Sequence, residues 1–259
     1  PATSGVALSP NPTNGSVAVA LTATVSDVAS GGDNIQAAEY FIDTMGASGT
    51  GTAMSGASGS PTVTVSATLS ISFLATLASG NHTIYVHGQD ALGNWGSFNF
   101  AVLNLDKAGP STASVALVPN PTNGTVDVAL SATGDDRATG NSNIVAAEYF
   151  IDAAGSPGSG APMTVNLPAP MASLTATIPA ATVAGLSQGS HTVYVHSRDS
   201  LGNWGTAATV ALTVDKTGPT TGNVSAAPNP NNGALGFNSS VAAVRVTAPF
   251  ADNLSMVGA

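Results

Sequence analysis

The chain has 259 residues, a net charge of −9, no cysteine and only 7% charged side chains. Its acidic excess argues against a nucleic-acid partner, and without cysteine no disulfide supports the fold. With 43% hydrophobic residues it is not disordered, and no apolar run approaches the roughly 20 residues of a membrane span.

Alternating apolar and polar residues mark strands. In chain order they are expected at Val6–Leu8, Val17–Val25, Ile35–Ile42, Pro61–Leu69, Ile71–Leu77, His82–His87 and Phe98–Leu105. Turn residues separate them. The same series recurs further on, where Ala180–Leu186 reads instead as one short helical turn.

The recurrence has one period. Pro10-Asn11-Pro12-Thr13-Asn14-Gly15 returns at Pro119 to Gly124, and in varied form at Pro228 to Gly233. Ala38-Glu39-Tyr40-Phe41-Ile42-Asp43 returns at Ala147 to Asp152, and Leu92-Gly93-Asn94-Trp95-Gly96 at Leu201 to Gly205. Asp106-Lys107-Ala108-Gly109-Pro110 returns as Asp215-Lys216-Thr217-Gly218-Pro219. A shift of 109 positions aligns every landmark. The expected organisation is a first repeat over 1–110, a second over 111–219, and the opening part of a third over 220–259. The first residues already lie inside a repeat, so a mature segment is expected, and the last strands are expected to fray or to pair with another chain.

About seven strands in each unit predict an all-β fold of tandem immunoglobulin-like (fibronectin-III-like) β-sandwiches. With strands lettered A to G, the B–C and F–G loops share one end and strand G exits at the other. The ordered motifs Glu39 to Asp43, Gly80 to His87, Asp90 to Gly96 and Asp106 to Pro110 resemble the bacterial tandem Ig-like repeats of large secreted and cell-surface proteins. That resemblance implies an extracellular location and a spacer, binding stalk or assembly module. Copies of the chain, neighbouring repeats, surface glycans or surface proteins are the implied partners.

Clustered oxygen ligands are the sharpest candidate site. Asp27 and Asp33 flank the B–C loop of the first repeat, and Asp135 and Asp136 occupy it in the second. Asp90 and Asp199 open the F–G loops, which also hold Asn94 and Asn203. Asp106 leaves the first repeat toward the loops of the second, so a junction of Asp106, Asp135, Asp136, Asp199 and Asn203 is expected. Calcium takes six to eight oxygen ligands and suits such a set. The same residues also suit plain turns, where their side chains bond nearby backbone.

The remaining polar residues carry structural expectations. Glu39 and Glu148 are expected to be solvated or paired across strands. His82 and His191 are placed where a structural hydrogen bond fits, and His82 and His87 lie on opposite faces of their strand. Trp95 and Trp204 read as packing residues, or else as loop contacts for a glycan. Asn14, Asn81, Asn123, Asn223, Asn238 and Asn253 open Asn-x-Ser/Thr sequons, although tight Asn-Gly turns explain Asn14 and Asn123 equally. No nucleophile elbow, zinc-binding helix or phosphate loop is present, and both lysines lie in linkers. The reading is non-enzymatic: a stiff surface stalk able to assemble into a filament or sheath. The alternatives are adhesin or carbohydrate-binding repeats, or the accessory region of a secreted hydrolase.

Overall fold

The computed structural model describes residues 1–227 and 245–252. The first sandwich contains β1 (Ala2–Ser9), β2 (Val19–Ser26), β3 (Ile35–Ile42), β4 (Thr52–Ala53), β5 (Thr62–Leu69), α1 (Ile71–Thr76), β6 (Gly80–Asp90) and β7 (Asn99–Leu105). One sheet has the order β1-β2-β5 and the other β4-β3-β6-β7. All ladders within them are antiparallel. The constant-type immunoglobulin arrangement keeps its fourth strand with the first sheet. Here the fourth strand lies beside the third.

Strand alternation fills the space between the sheets. Val19, Leu21, Ala23 and Val25 of β2 are all buried, and Ile84, Val86 and Leu103 join them in one core from β6 and β7. Each such aliphatic side chain contributes about 1.5–3 kcal/mol on burial.

The second sandwich repeats this plan with β8 (Ser111–Val118), β9 (Val128–Asp135), β10 (Ile144–Ile151), β11 (Ala161–Val165), β12 (Met171–Ile178), α2 (Ala180–Gly185), β13 (Gly189–Asp199) and β14 (Ala208–Val214). β11 pairs first with β10 and then with β12, which joins both sheets into one seven-stranded series. The two hydrophobic cores share no residue.

One predicted strand is a helix. Ile71–Leu77 has the alternation of a strand, yet Ile71–Thr76 is helical. Ser70 caps it, accepting a hydrogen bond from the Phe73 N–H, and Leu74 is its buried anchor. The equivalent α2 forms without a side-chain cap and buries Val183 at the same position, so the buried anchor is the shared feature and the Ser70 cap adds to it. The count of seven strands holds because β4, absent from the sequence reading, takes the place of the lost strand.

Beyond residue 219, β15 (Thr220–Thr221) pairs with β18 (Phe250–Ala251), and β16 (Ser225–Ala227) with β17 (Arg245–Thr247). These described strands pair within the chain. Ala2 faces Ser26 and Ser111 faces Asp135, whereas Thr220 faces Ala251, so this connection is seven residues longer. The varied motif at 228–233 and the segment 253–259 lie outside the described residues, as do the sequons at Asn238 and Asn253.

Candidate acidic junction

Two groups of three aspartates stand at equivalent ends of the sandwiches. In the first, carboxylate oxygens of Asp27, Asp33 and Asp90 lie within 4.8 Å of one another. In the second, those of Asp106, Asp136 and Asp199 do so, and all three residues are buried. Asp136 and Asp199 are the repeat counterparts of Asp27 and Asp90. The third carboxylate differs in origin. Asp33 comes from the loop after β2, while its counterpart is Ser142. Asp106 reaches the second group from the exit of β7, across the junction.

Local backbone builds the cradle. Both oxygens of Asp199 accept hydrogen bonds: Oδ1 from the Leu201 and Asn203 amides at 2.9 Å, Oδ2 from Asn203 Nδ2 at 2.8 Å. Asp136 accepts from Thr139 Oγ1 at 2.6 Å and the Ser142 amide at 2.6 Å. Asp106 accepts from Ser142 Oγ at 2.7 Å and the Ala108 amide at 3.2 Å. Two glycines leave room for this exit. A Cβ on Gly140 would lie 2.0 Å from the Asp106 carboxylate, and one on Gly205 would lie 1.7 Å from the Pro110 carbonyl. Asn203 Nδ2 also donates to the Asp106 carbonyl at 3.0 Å, and Asn14 Nδ2 donates to the Leu201 carbonyl at 2.8 Å. The first sandwich is thus tied to the loop after β13 at two residues, Leu201 and Asn203.

The electrostatics of the two groups diverge. Asp27 is lowered to about 2, first by the Ser30 hydroxyl and next by the amino group of Pro1, 3.0 Å away. At Asp90 burial opposes ionisation, but the Asn94 side chain and the Asn94 and Leu92 amides lower its pKa overall. Asp106 is raised, by burial first and further by the charges of Asp136 and Asp199. Among the described residues, no ion pair reaches Asp106, Asp136 or Asp199.

Asp135 stands apart from the expected ligand set. Asp135 does not join the group: its carboxylate forms a fork with Arg137, at 2.9 Å to Nε and 2.7 Å to Nη2, which lowers it to about 2. Consecutive residues at a strand end point to opposite sides, so only Asp136 turns inward. Asn203, like Asn94, serves as a hydrogen-bond donor to its aspartate.

Glu39 and Glu148 depart from the solvated alternative. Glu39 is 3% exposed and pairs across the sheet with His87 at 2.7 Å. It also accepts the Gly49 and Gly51 amides, each at 2.7 Å. Glu148 repeats this with His196, Gly158 and Gly160. Nothing in the sequence marks the loop amides as partners, because they sit in glycine-rich stretches without periodicity. His82 and His191 make the structural bonds expected of them, to Asp43 at 2.7 Å and Asp152 at 2.8 Å. Trp95 stacks on His87 with ring centroids 4.5 Å apart, and Trp204 lies 4.6 Å from His196. Both tryptophans pack rather than project. Lys107 Nζ donates to the carbonyls of Leu74, Ala75 and Leu77 at the end of α1, fixing the linker to its own sandwich.

No family model and no curated protein matches the sequence. Among solved structures, the chain is similar to the fibronectin(III)-like modules of CbhA from Clostridium thermocellum, with 15% identity, 81% of this chain and 94% of that one covered, and a TM-score of 0.31. It is similar to the central fibronectin-III array of RIM-binding protein, with 13% identity, 90% and 76% covered, and a TM-score of 0.26. The D00-D0 domain of intimin gives 10% identity, 83% and 100% covered, and a TM-score of 0.30. No helix among the described residues is long and apolar enough to cross a membrane.

Proposed function

We propose that the chain is a stiff spacer in an extracellular surface protein, and that calcium sets the angle between its sandwiches. One observation carries this reading: Asp106 of the first sandwich is buried against Asp136 and Asp199 of the second, with no ion pair to any of the three among the described residues. Buried like charges are unfavourable unless they are compensated. Calcium would bring compensation and would take carboxylate oxygens from both sides of the joint. Each of the three carboxylates keeps at least one oxygen with a lone pair beyond the hydrogen bonds described. The linker is stiff by composition too, since Pro110 restricts its own backbone and that of Gly109.

The arrangement is prepared a second time. Asp252 stands in strand register with Asp27 and Asp136, and Asp215 is the counterpart of Asp106. A repeated joint suits a rod that presents or spaces other parts of a surface protein. No catalytic role is assigned to it.

Small-angle scattering of the whole chain, with calcium and with chelator, tests the proposal. The expected result is a narrow, extended distance distribution in calcium that broadens with chelator, and no change on chelation for Asp106→Asn. An identical distribution in both conditions, with no calcium bound by titration calorimetry, overturns it.

A further inference from the structure

Beside the acidic joint lies an open cleft of about 950 Å³ between the sandwiches. The first sandwich contributes Asn81 at the start of β6 and Asn104 near the end of β7. Across from them, the second contributes Asn141, Asn143 and Ser200 from its loops, together with Arg137. The side chains of the four asparagines and Ser200 have no hydrogen-bond partner among the described residues. We infer that this cleft binds a neutral oligosaccharide.

Comparison of the repeats separates the cleft from the general plan of the fold. Three positions on the loop side gain hydrogen-bonding groups relative to the first repeat: Val28 becomes Arg137, Gly32 becomes Asn141 and Ala91 becomes Ser200. Asn141 holds a left-handed backbone with φ of 60°, where Gly32 has φ of 80°. Asparagine tolerates this region less well than glycine, so the amide is kept against a backbone preference. On the strand side, the counterparts of Asn81 and Asn104 in the second sandwich are Ser190 and Thr213. The set of four amides therefore belongs to this one cleft among the described residues.

The lining selects the ligand class. An amide donates and accepts at once, as a sugar hydroxyl does. An anionic ligand is disfavoured, because the Arg137 guanidinium is already engaged by Asp135. A peptide lacks both of its usual handles here. The β7 edge at Asn104 is occupied, with its amide donating to Asn11 Oδ1 and its carbonyl accepting from the Thr13 amide. Leu105, the largest apolar residue of the lining, is buried at 2% exposure and offers no pocket. A volume near 950 Å³ falls within the range of small-ligand sites. Because the cleft spans both sandwiches, this reading rests on the joint being held as the proposed function has it, and calcium is present throughout the titrations.

Titration calorimetry of the whole chain against cellotetraose, maltotetraose and N-acetylchitotetraose tests it, with tetragalacturonate and a Gly-Ser-Asn-Gly peptide as controls. At least one neutral sugar is expected to bind with a Kd below about 1 mM. The double variant Asn104→Thr/Asn141→Gly takes the residues that the other repeat carries at these positions, so the scaffold accepts them. It should weaken binding at least tenfold. Phe100→Thr, on the outer sheet face, should leave binding unchanged. Absence of binding by all three sugars overturns the inference. So does tighter binding of either control, an unchanged Kd in the double variant, or loss of binding in Phe100→Thr. Scattering by the unliganded chain reports the joint separately, so failure of the cleft and failure of the calcium joint are distinguishable.

Discussion

The aspartate groups of the two sandwiches use one scaffold and reach opposite electrostatic states. In the first, the Pro1 amino group lies against Asp27, whose pKa falls to about 2. In the second, the third carboxylate arrives from the neighbouring sandwich, no cation pairs with the group among the described residues, and the pKa of Asp106 rises. The ends of β2 and β6, or of β9 and β13, place two aspartates in both cases. Among the described residues the third is Asp33, from the loop after β2, in the first group and Asp106, from the neighbouring sandwich, in the second.

The strongest way to break the comparison is to remove the common scaffold. Asp90→Ala and Asp199→Ala should each destabilise their own sandwich by about 1–3 kcal/mol, since each leaves buried donors unsatisfied. Urea unfolding checks this, and similar losses in the two variants would confirm that the cradle is common to both.

Calcium sharpens the difference. At a hundredfold excess over Kd it should stabilise the second sandwich by about 2.7 kcal/mol. The response should vanish in Asp106→Asn and persist in Asp33→Asn. Calorimetric unfolding with and without chelator gives the measurement.

Acid is the next lever. A carboxyl whose folded pKa is raised binds more protons when folded, so stability increases as pH falls through that raised value toward the ordinary carboxylate range. Without metal, Asp106 should make the second sandwich more stable on mild acidification, and Asp106→Asn should remove that trend. Asp27, with its pKa lowered to about 2, contributes stability above the ordinary carboxylate range that is lost as pH falls toward 2. Asp27 and Asp106 should therefore contribute to the acid response with opposite signs.

The smallest effect comes from His82 and His191. Burial opposes the charge at His82, yet the Ala78 carbonyl and Asp43 raise its pKa; at His191 the Ser187 carbonyl and Asp152 do so. The stability from these pairs is present below the ordinary imidazole pKa of about 6.5 and lost as pH rises through the higher folded value. Half-exposed aspartate partners hold it below about 1 kcal/mol each. His82→Gln and His191→Gln should flatten the stability profile between pH 6 and 8 equally, because this pairing is the same in both repeats.

Much of the fold is legible in the residue pattern. The alternation in Val19 to Val25 and Ile35 to Ile42 marks strands because inward and outward neighbours meet different surroundings. The constant spacing of the landmarks carries the repeat. Part of the site is legible for the same reason: Asp27, Asp90, Asp136 and Asp199 fall at loop ends that the strand order brings together. Ile71–Leu77 misleads, because a six-residue helix held by a cap and one buried leucine has no period of its own. Asp135 misleads because two adjacent aspartates are alike until the strand end turns one of them inward.

The sequence by itself determined the sheet-forming segments, the repeat unit and the placement of acidic residues at one end of each unit. These depend on local alternation and on spacing along the chain. Tertiary structure alone decided that Asp106 is buried beside Asp136 and Asp199, that Asp135 belongs to Arg137, and that Glu39 and Glu148 close glycine loops through backbone amides. Each of these outcomes depends on the direction of a side chain and on the space left by a distant glycine. Neither is written in the order of residues.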